Sequence, residues 1–227
     1  MSSSLDVLEK GAVHASNPHI NYSQTNGYAA PRPSKIANPG TLGLFSFAST
    51  TLILSLYNLG TRSITHPNVV VGMAVFCGGL AQLLAGMWEF PKGNAFGATA
   101  FTSFGAFWMS FATILIPGSG VGAAYTSAEE FDSALGIYLT TWAVLTFLLT
   151  IATLRKNLAL ITLFSLLTLT FIVLAGGAFS GIANVTKAGG GLGVVTALVA
   201  YYIGLSELLS AEDQALFHLP LGTFSKN

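Results

Sequence analysis

The sequence predicts an all-α integral membrane fold, a bundle of six transmembrane helices with both ends of the chain in the cytoplasm. Hydrophobic residues make up 52% of the 227 residues and charged residues only 8%, against about a quarter in a soluble domain. A soluble chain so short of charge lacks the polar surface needed to cover its own core. Apolar runs at about 41–60, 68–90, 95–116, 133–153, 158–180 and 189–209 are each long enough to cross a hydrocarbon core of roughly 30 Å at about 1.5 Å per residue. The runs are continuous rather than alternating, which favours helices over barrel strands of about ten residues.

In chain order, residues 1–37 read as a flexible cytoplasmic tail. They are rich in Ser, Asn and Pro, carry Pro31 and Pro33, and show no hydrophobic periodicity. The first 35 residues hold no apolar central region, which argues against a cleavable signal peptide. The six-helix domain is expected over 38–210, opening after Asn38-Pro39. Its connections are expected at the breakers from Gly60 to Pro67, Pro91 to Asn94, Pro117 to Asp132, Arg155 to Asn157 and Asn184 to Gly189. Residues 211–227 then form a short cytoplasmic tail.

The basic residues set the orientation. With the N-terminus inside, Lys10, Arg32, Lys35, Lys92, Arg155, Lys156 and Lys226 are cytoplasmic, and only Arg62 and Lys187 are outside. The acidic Glu129, Glu130 and Asp132 fall in an outer loop, where the rule barely weighs them. Asn184-Val185-Thr186 is a glycosylation sequon, but it lies too close to the membrane for use to be expected.

Several function classes drop out. Nine Lys/Arg cancel nine Asp/Glu, so no net field recruits nucleic acid. The single Cys77 excludes an internal disulfide framework and a Cys-rich metal site. His14, His19, His66 and His218 all fall outside the apolar runs, so no transmembrane His relay is expected. There is no phosphate-binding loop, nucleophile elbow, zinc spacing or dinucleotide fingerprint. The expectation is a non-enzymatic chain without metal or cofactor, a passive channel or a gradient-driven carrier in the lipid bilayer.

Small or polar residues form stripes on three helices. They are Ala74, Gly78, Gln82, Gly86 and Glu89 on the second; Thr99, Ser103, Ala106, Ser110 and Thr113 on the third; and Gly193, Ala197, Ala200, Gly204 and Glu207 on the sixth. Spacings of three and four keep each set on one face. Close helix packing is the expected use of the glycines and alanines. A narrow wetted path is the reading for the third helix and for Gln82, since an amide at lipid depth needs a partner or water. Glu89 and Glu207 sit at cytoplasmic helix ends. They are either interfacial helix-end anchors, paired to Lys92 or to a partner helix, or proton-accepting groups.

Asn38-Pro39-Gly40-Thr41-Leu42-Gly43-Leu44 resembles the Asn-Pro-x-x-Leu-Gly-Leu signature of the acetate uptake transporter family, the acetate/succinate–proton symporters of bacteria and fungi. Phe47 with Thr50-Thr51, Asn58, Ala81-Gln82, Ala85-Gly86 with Glu89, Thr99 to Ser103, Phe107-Trp108 and Trp142 continue the match, which spans about residues 37–218. The resemblance implies a homo-hexamer with one pore per subunit that moves acetate and other small monocarboxylates, succinate in some members. It also implies an apolar constriction with matching positions at Phe47, Phe104 and Leu166. Phe104 stands where the family usually has Tyr, so the waist would be wholly apolar and would penalise a bare anion more than a neutral acid.

A small carboxylic acid is almost all anion at neutral pH, and an apolar neck is costly for it unless polar groups replace its water. The expected donors are the helix start at Asn38 and Gly40, then Thr50, Thr51, Asn58, Gln82, Thr102 and Ser103. Glu89 or Glu207 would relay a co-transported proton. Two rival readings fit the sequence as well, an ammonium/ammonia exporter and a non-transporting acetate sensor. The location expected is a fungal plasma membrane.

Overall fold

The computed structural model describes residues 36–212 and 215–224. The expected tail over 1–37 lies outside the described residues except for Ile36 and Ala37, as do Lys10, Arg32, Lys35 and Lys226.

Six helices are long and apolar enough to cross a membrane. α1 is Gly40–Asn58; it starts behind Pro39, and the Gly40 N–H donates to Asn38 Oδ1 at 3.1 Å. Gly60, at φ 74°, ends the turn that follows it. α2 runs over 70–92 and changes pitch inside: Val70–Gly72 and Gln82–Lys92 are α-helical, and Met73–Ala81 between them is a π-helix. It stops at Gly93, whose φ of 81° suits glycine. α3 is Ala95–Leu115, capped by Asn94, whose side chain accepts from the Gly97 N–H, and it ends ahead of Pro117.

α4 is Ala128–Thr153, with Ser127 Oγ accepting from the Glu130 N–H and Glu130 accepting in turn from Thr126. α5 is Leu158–Ser180, capped by Asn157 and closed by Gly181 at φ 65°. α6 is Ala183–Ser210.

Two boundaries correct the sequence reading. The segment expected as an outer loop up to Asp132 ends at Ser127, so Glu129, Glu130 and Asp132 open α4. There, acidic residues offset the positive helix end. The expected connection from Asn184 to Gly189 is helical, because α6 begins at Ala183, and the sequon sits in its first turn. In both cases the cap is a short polar residue or an extended step that hydropathy alone does not register.

The helices pack mainly as α1 on α6, α4 on α5, α5 on α6, and α2 on α3. Glycines permit the closest approaches. A Cβ on Gly190 would lie 2.8 Å from the Ser55 carbonyl oxygen, and one on Gly204 3.0 Å from the Phe45 ring. The exterior is apolar: Val69 is 73% exposed, Phe76 68% and Ile137 63%. That surface suits lipid and would be a liability in water. Beyond α6 the chain folds back. The Leu158 and Ala159 N–H groups donate to the Gly222 and Leu221 carbonyls, and Ser206 and Tyr202 donate to Leu219 and Pro220. This C-terminal strap ties the end of α6 to the start of α5.

Candidate functional site

Two chambers lie along the interior of the bundle. One, about 150 Å³, opens where α1 begins and is lined by Asn38, Gly40, Gln82, Glu89, Lys92 and Lys156, among others. The second, about 320 Å³, lies toward the other end and is lined by Thr51, Asn58, Trp108, Asp132, Thr170 and Thr186, among others. Phe47 and Leu167 line both. Both are buried, at 5% and 4% exposure, so the chambers meet at an apolar neck.

Phe104, 3% exposed, lines the first chamber beside that neck, with its ring centroid 5.7 Å from that of Phe47. Phe164 and Trp142 flank it, each at 6.2 Å. On the far side Phe107 and Phe171 meet edge to face at 5.2 Å. Leu166, expected in the constriction, lines neither chamber; its carbonyl accepts a hydrogen bond from Thr170. On a helix a one-residue step turns a side chain by about 100°, enough to move it from one face to another. Leu167 has the position at the neck.

The mouth at the start of α1 is a closed polar network. Asn38 Nδ2 donates to Glu207 Oε2 at 2.9 Å, while Asn38 Oδ1 accepts from Lys92 Nζ at 2.6 Å and from the Gly40 N–H at 3.1 Å. Glu89, 1% exposed, accepts from Asn94 Nδ2 at 2.8 Å and lies 3.8 Å from Lys92 Nζ. A Cβ on Gly40 would stand 2.7 Å from Glu207 Oε2 and 3.2 Å from Glu89 Oε1. The glycine therefore makes room for two carboxylates around the positive end of α1. The helix start expected to dock an incoming anion already faces the protein's own carboxylates, and Asn38 holds its Gly40 N–H.

Gln82 and Thr51 carry a different signal. Gln82 is 1% exposed, lines the first chamber, and neither its amide oxygen nor its nitrogen has a hydrogen-bond partner. Thr51 Oγ1 and Trp108 Nε1, in residues lining the second chamber, are buried and equally unpartnered. Such groups cost stability unless something binds them. The other expected donors are placed elsewhere. Thr50 donates to the Ser46 carbonyl and faces Gly78. Thr102 Oγ1 is buried and unpartnered too, but it packs against Gly86 at the α2–α3 contact and lines neither chamber, and Ser103 lines neither. Asn58 does line the second chamber.

The third-helix stripe is a correction. Thr99, Ala106, Ser110 and Thr113 are exposed on the outside of the bundle, and the three hydroxyls donate to carbonyls of α3 itself. The inward face is instead aromatic and small, with Ala100, Phe104, Phe107, Trp108 and Phe111. A hydroxyl that back-bonds to its own helix is satisfied at lipid depth and needs no wetted path. The α2 stripe, in contrast, is buried from Ala74 to Glu89. The sequence reading did not place Lys156, Trp108 or Leu167 at the chambers. No spacing rule points to them; their position follows from how the helices pack.

The family model described as the GPR1/FUN34/yaaH family matches residues 21–226. The chain is 49% identical over 193 residues to the Saccharomyces cerevisiae protein named ammonia transport outward protein 2, covering 84% of this chain and 68% of that one. It is 37% identical over 189 residues to the Escherichia coli protein named succinate-acetate/proton symporter SatP, covering 83% and 97%. A solved structure of the bacterial acetate channel SatP superposes with a TM-score of 0.73 at 35% identity, covering 83% of this chain and all of that one.

Proposed function

This chain belongs to the GPR1/FUN34/yaaH family, and from that premise we propose that it moves acetate and similar small monocarboxylates across a membrane, succinate among the candidates. The observation that carries this reading is the pair of chambers meeting at Phe47 and Leu167, each chamber lined by residues with buried, unpartnered polar groups. The similarity to a named succinate-acetate/proton symporter and to a solved acetate channel supports it.

In this reading the apolar neck excludes a hydrated ion, and Gln82 on one side and Thr51 on the other replace part of the substrate's water. Thr50, Thr102 and Ser103 stay outside the path, and Leu167, not Leu166, forms the neck with Phe47. A proton travelling with the acid cancels its charge at the neck, where a bare carboxylate is most costly. Glu89 and Glu207, whose carboxylates gather on the same side of Gly40, are the candidates to exchange it. The assembly is a homo-hexamer in a fungal plasma membrane, with the Asn38 mouth and both termini cytoplasmic.

Labelled acetate uptake into proteoliposomes, with and without an imposed proton gradient, tests the reading. Gradient-driven accumulation indicates a symporter, and equilibration without a gradient indicates a channel. Absence of flux through the folded protein overturns the proposal and favours a sensor. Ammonia export is the reading suggested by the yeast relative's name. No histidine lines either chamber among the described residues, so a neutral-gas path with a pore imidazole is less well supported. If Glu89→Gln and Glu207→Gln both leave pH-dependent acetate uptake unchanged, the proton relay is wrong.

A further inference from the structure

Two lysines line the chamber at the Asn38 mouth, and they stand in different environments. Lys92 is engaged: it donates to Asn38 Oδ1 at 2.6 Å and lies 3.8 Å from Glu89, the one ion pair among the described residues. Lys156 has no carboxylate partner there. Its Nζ lies 4.6 Å from the centroid of the Phe96 ring. A cation over an aromatic face is held by the ring quadrupole, a weaker attraction than a paired carboxylate offers.

The backbone below that ammonium is clamped. The Lys156 N–H donates to the Thr153 carbonyl at 2.8 Å, Asn157 is bridged to Thr223, and the Leu158 N–H donates to the Gly222 carbonyl. Lys156 is exposed, and a lysine ammonium rides on a flexible four-carbon stem. Phe96 rests edge-on against Phe164 at 5.3 Å, and Phe164 sits 6.2 Å from Phe104 at the neck. The cation therefore stands at the mouth end of a series of rings whose other end is the constriction.

We propose that Lys156 is the anion-capturing residue of this mouth. It leaves the Phe96 ring to pair with an incoming small carboxylate and passes it toward the Gln82 amide in the same chamber. An unpaired cation beside a low-dielectric cleft raises the local concentration of anions and speeds their entry. Lys92 cannot serve without breaking its contacts to Glu89 and Asn38. The neighbouring Arg155 does not line the chamber, so the effect belongs to the position and not to the summed charge of the loop. This inference rests on the carboxylate-transport reading above.

The test is the concentration dependence of labelled acetate flux in proteoliposomes sorted to one orientation through an N-terminal tag. Wild type, Lys156→Gln, Lys156→Arg and Arg155→Gln are compared with substrate entering at the Asn38 mouth. Lys156→Gln is expected to raise KM roughly three- to tenfold with little change in the maximal rate. Lys156→Arg restores KM, and Arg155→Gln matches wild type. Raising ionic strength from about 20 to about 300 mM shortens the screening length from roughly 20 Å to under 10 Å. It should raise the wild-type KM toward that of Lys156→Gln and leave the Gln variant unmoved. A wild-type KM and salt response in Lys156→Gln overturns the inference while leaving the transport reading intact. Absence of flux in wild type overturns both.

Discussion

Gln82 is where stability and transport should part. Its amide is buried at 1% exposure with neither polar atom partnered, a condition that costs about 1–3 kcal/mol. Replacement by leucine removes that cost while keeping similar bulk. Gln82→Leu should therefore unfold at the same or a higher temperature in detergent. Its acetate flux should fall at least about tenfold, equivalent to one lost hydrogen bond to a charged group. A destabilised variant with normal flux would make Gln82 a packing residue. At the neck, Leu167→Ala should speed permeation and admit larger acids, whereas Leu166→Ala should leave permeation near wild type; equal effects would place the constriction elsewhere. Phe104→Tyr adds a hydroxyl beside the neck and should raise anion flux or broaden the substrate range. Gln82 was legible in the sequence because an amide inside an apolar run is conspicuous. Leu167 was not, because two adjacent leucines look alike until the helix is rotated into place.

Helices were legible as spans, but the direction each face looks was not. The α2 and α3 stripes are both built from steps of three and four, yet the first is buried and most of the second lies outside. Periodicity identifies a face, and in lipid the inward face need not be the polar one. The π-helical stretch Met73–Ala81 ends directly before Gln82; it was invisible to hydropathy because it changes pitch and not composition. The C-terminal strap looks in sequence like no more than a tail. Gly222 has φ 67°, and a Cβ there would meet Leu158 Cβ at 2.8 Å. Gly222→Ala should cost about 1–2 kcal/mol through the left-handed backbone alone. Because the strap clamps the residues next to Lys156, the variant should also raise the KM for acetate. Thermal unfolding and flux measured on one preparation check both effects, and a wild-type KM would show that the strap does not hold the mouth.

At the scale of the whole molecule, charge and geometry agree on one axis. Lys92, Lys156 and the Asn38 mouth gather at one end of the first chamber, while Arg62 lies in the connection before α2 and Lys187 sits in the first turns of α6, its Cε 3.9 Å from a Cβ built on Gly60. Basic connections are retained on the cytoplasmic side during insertion, so the Asn38 mouth should face the cytoplasm. Single cysteines in a Cys77→Ala background test this at exposed sites away from both chambers. Ser119→Cys lies in the α3–α4 connection and Ala211→Cys just beyond α6. In intact cells a membrane-impermeant maleimide should label the cysteine at 119 at once, and the one at 211 only after permeabilisation. The reverse pattern would turn the protein over, making the Asn38 network an external gate and Lys156 a residue of uptake from outside. In the expected orientation that lysine acts first on anions leaving the cell. Oriented flux should then show Lys156→Gln raising the KM of efflux more than that of influx.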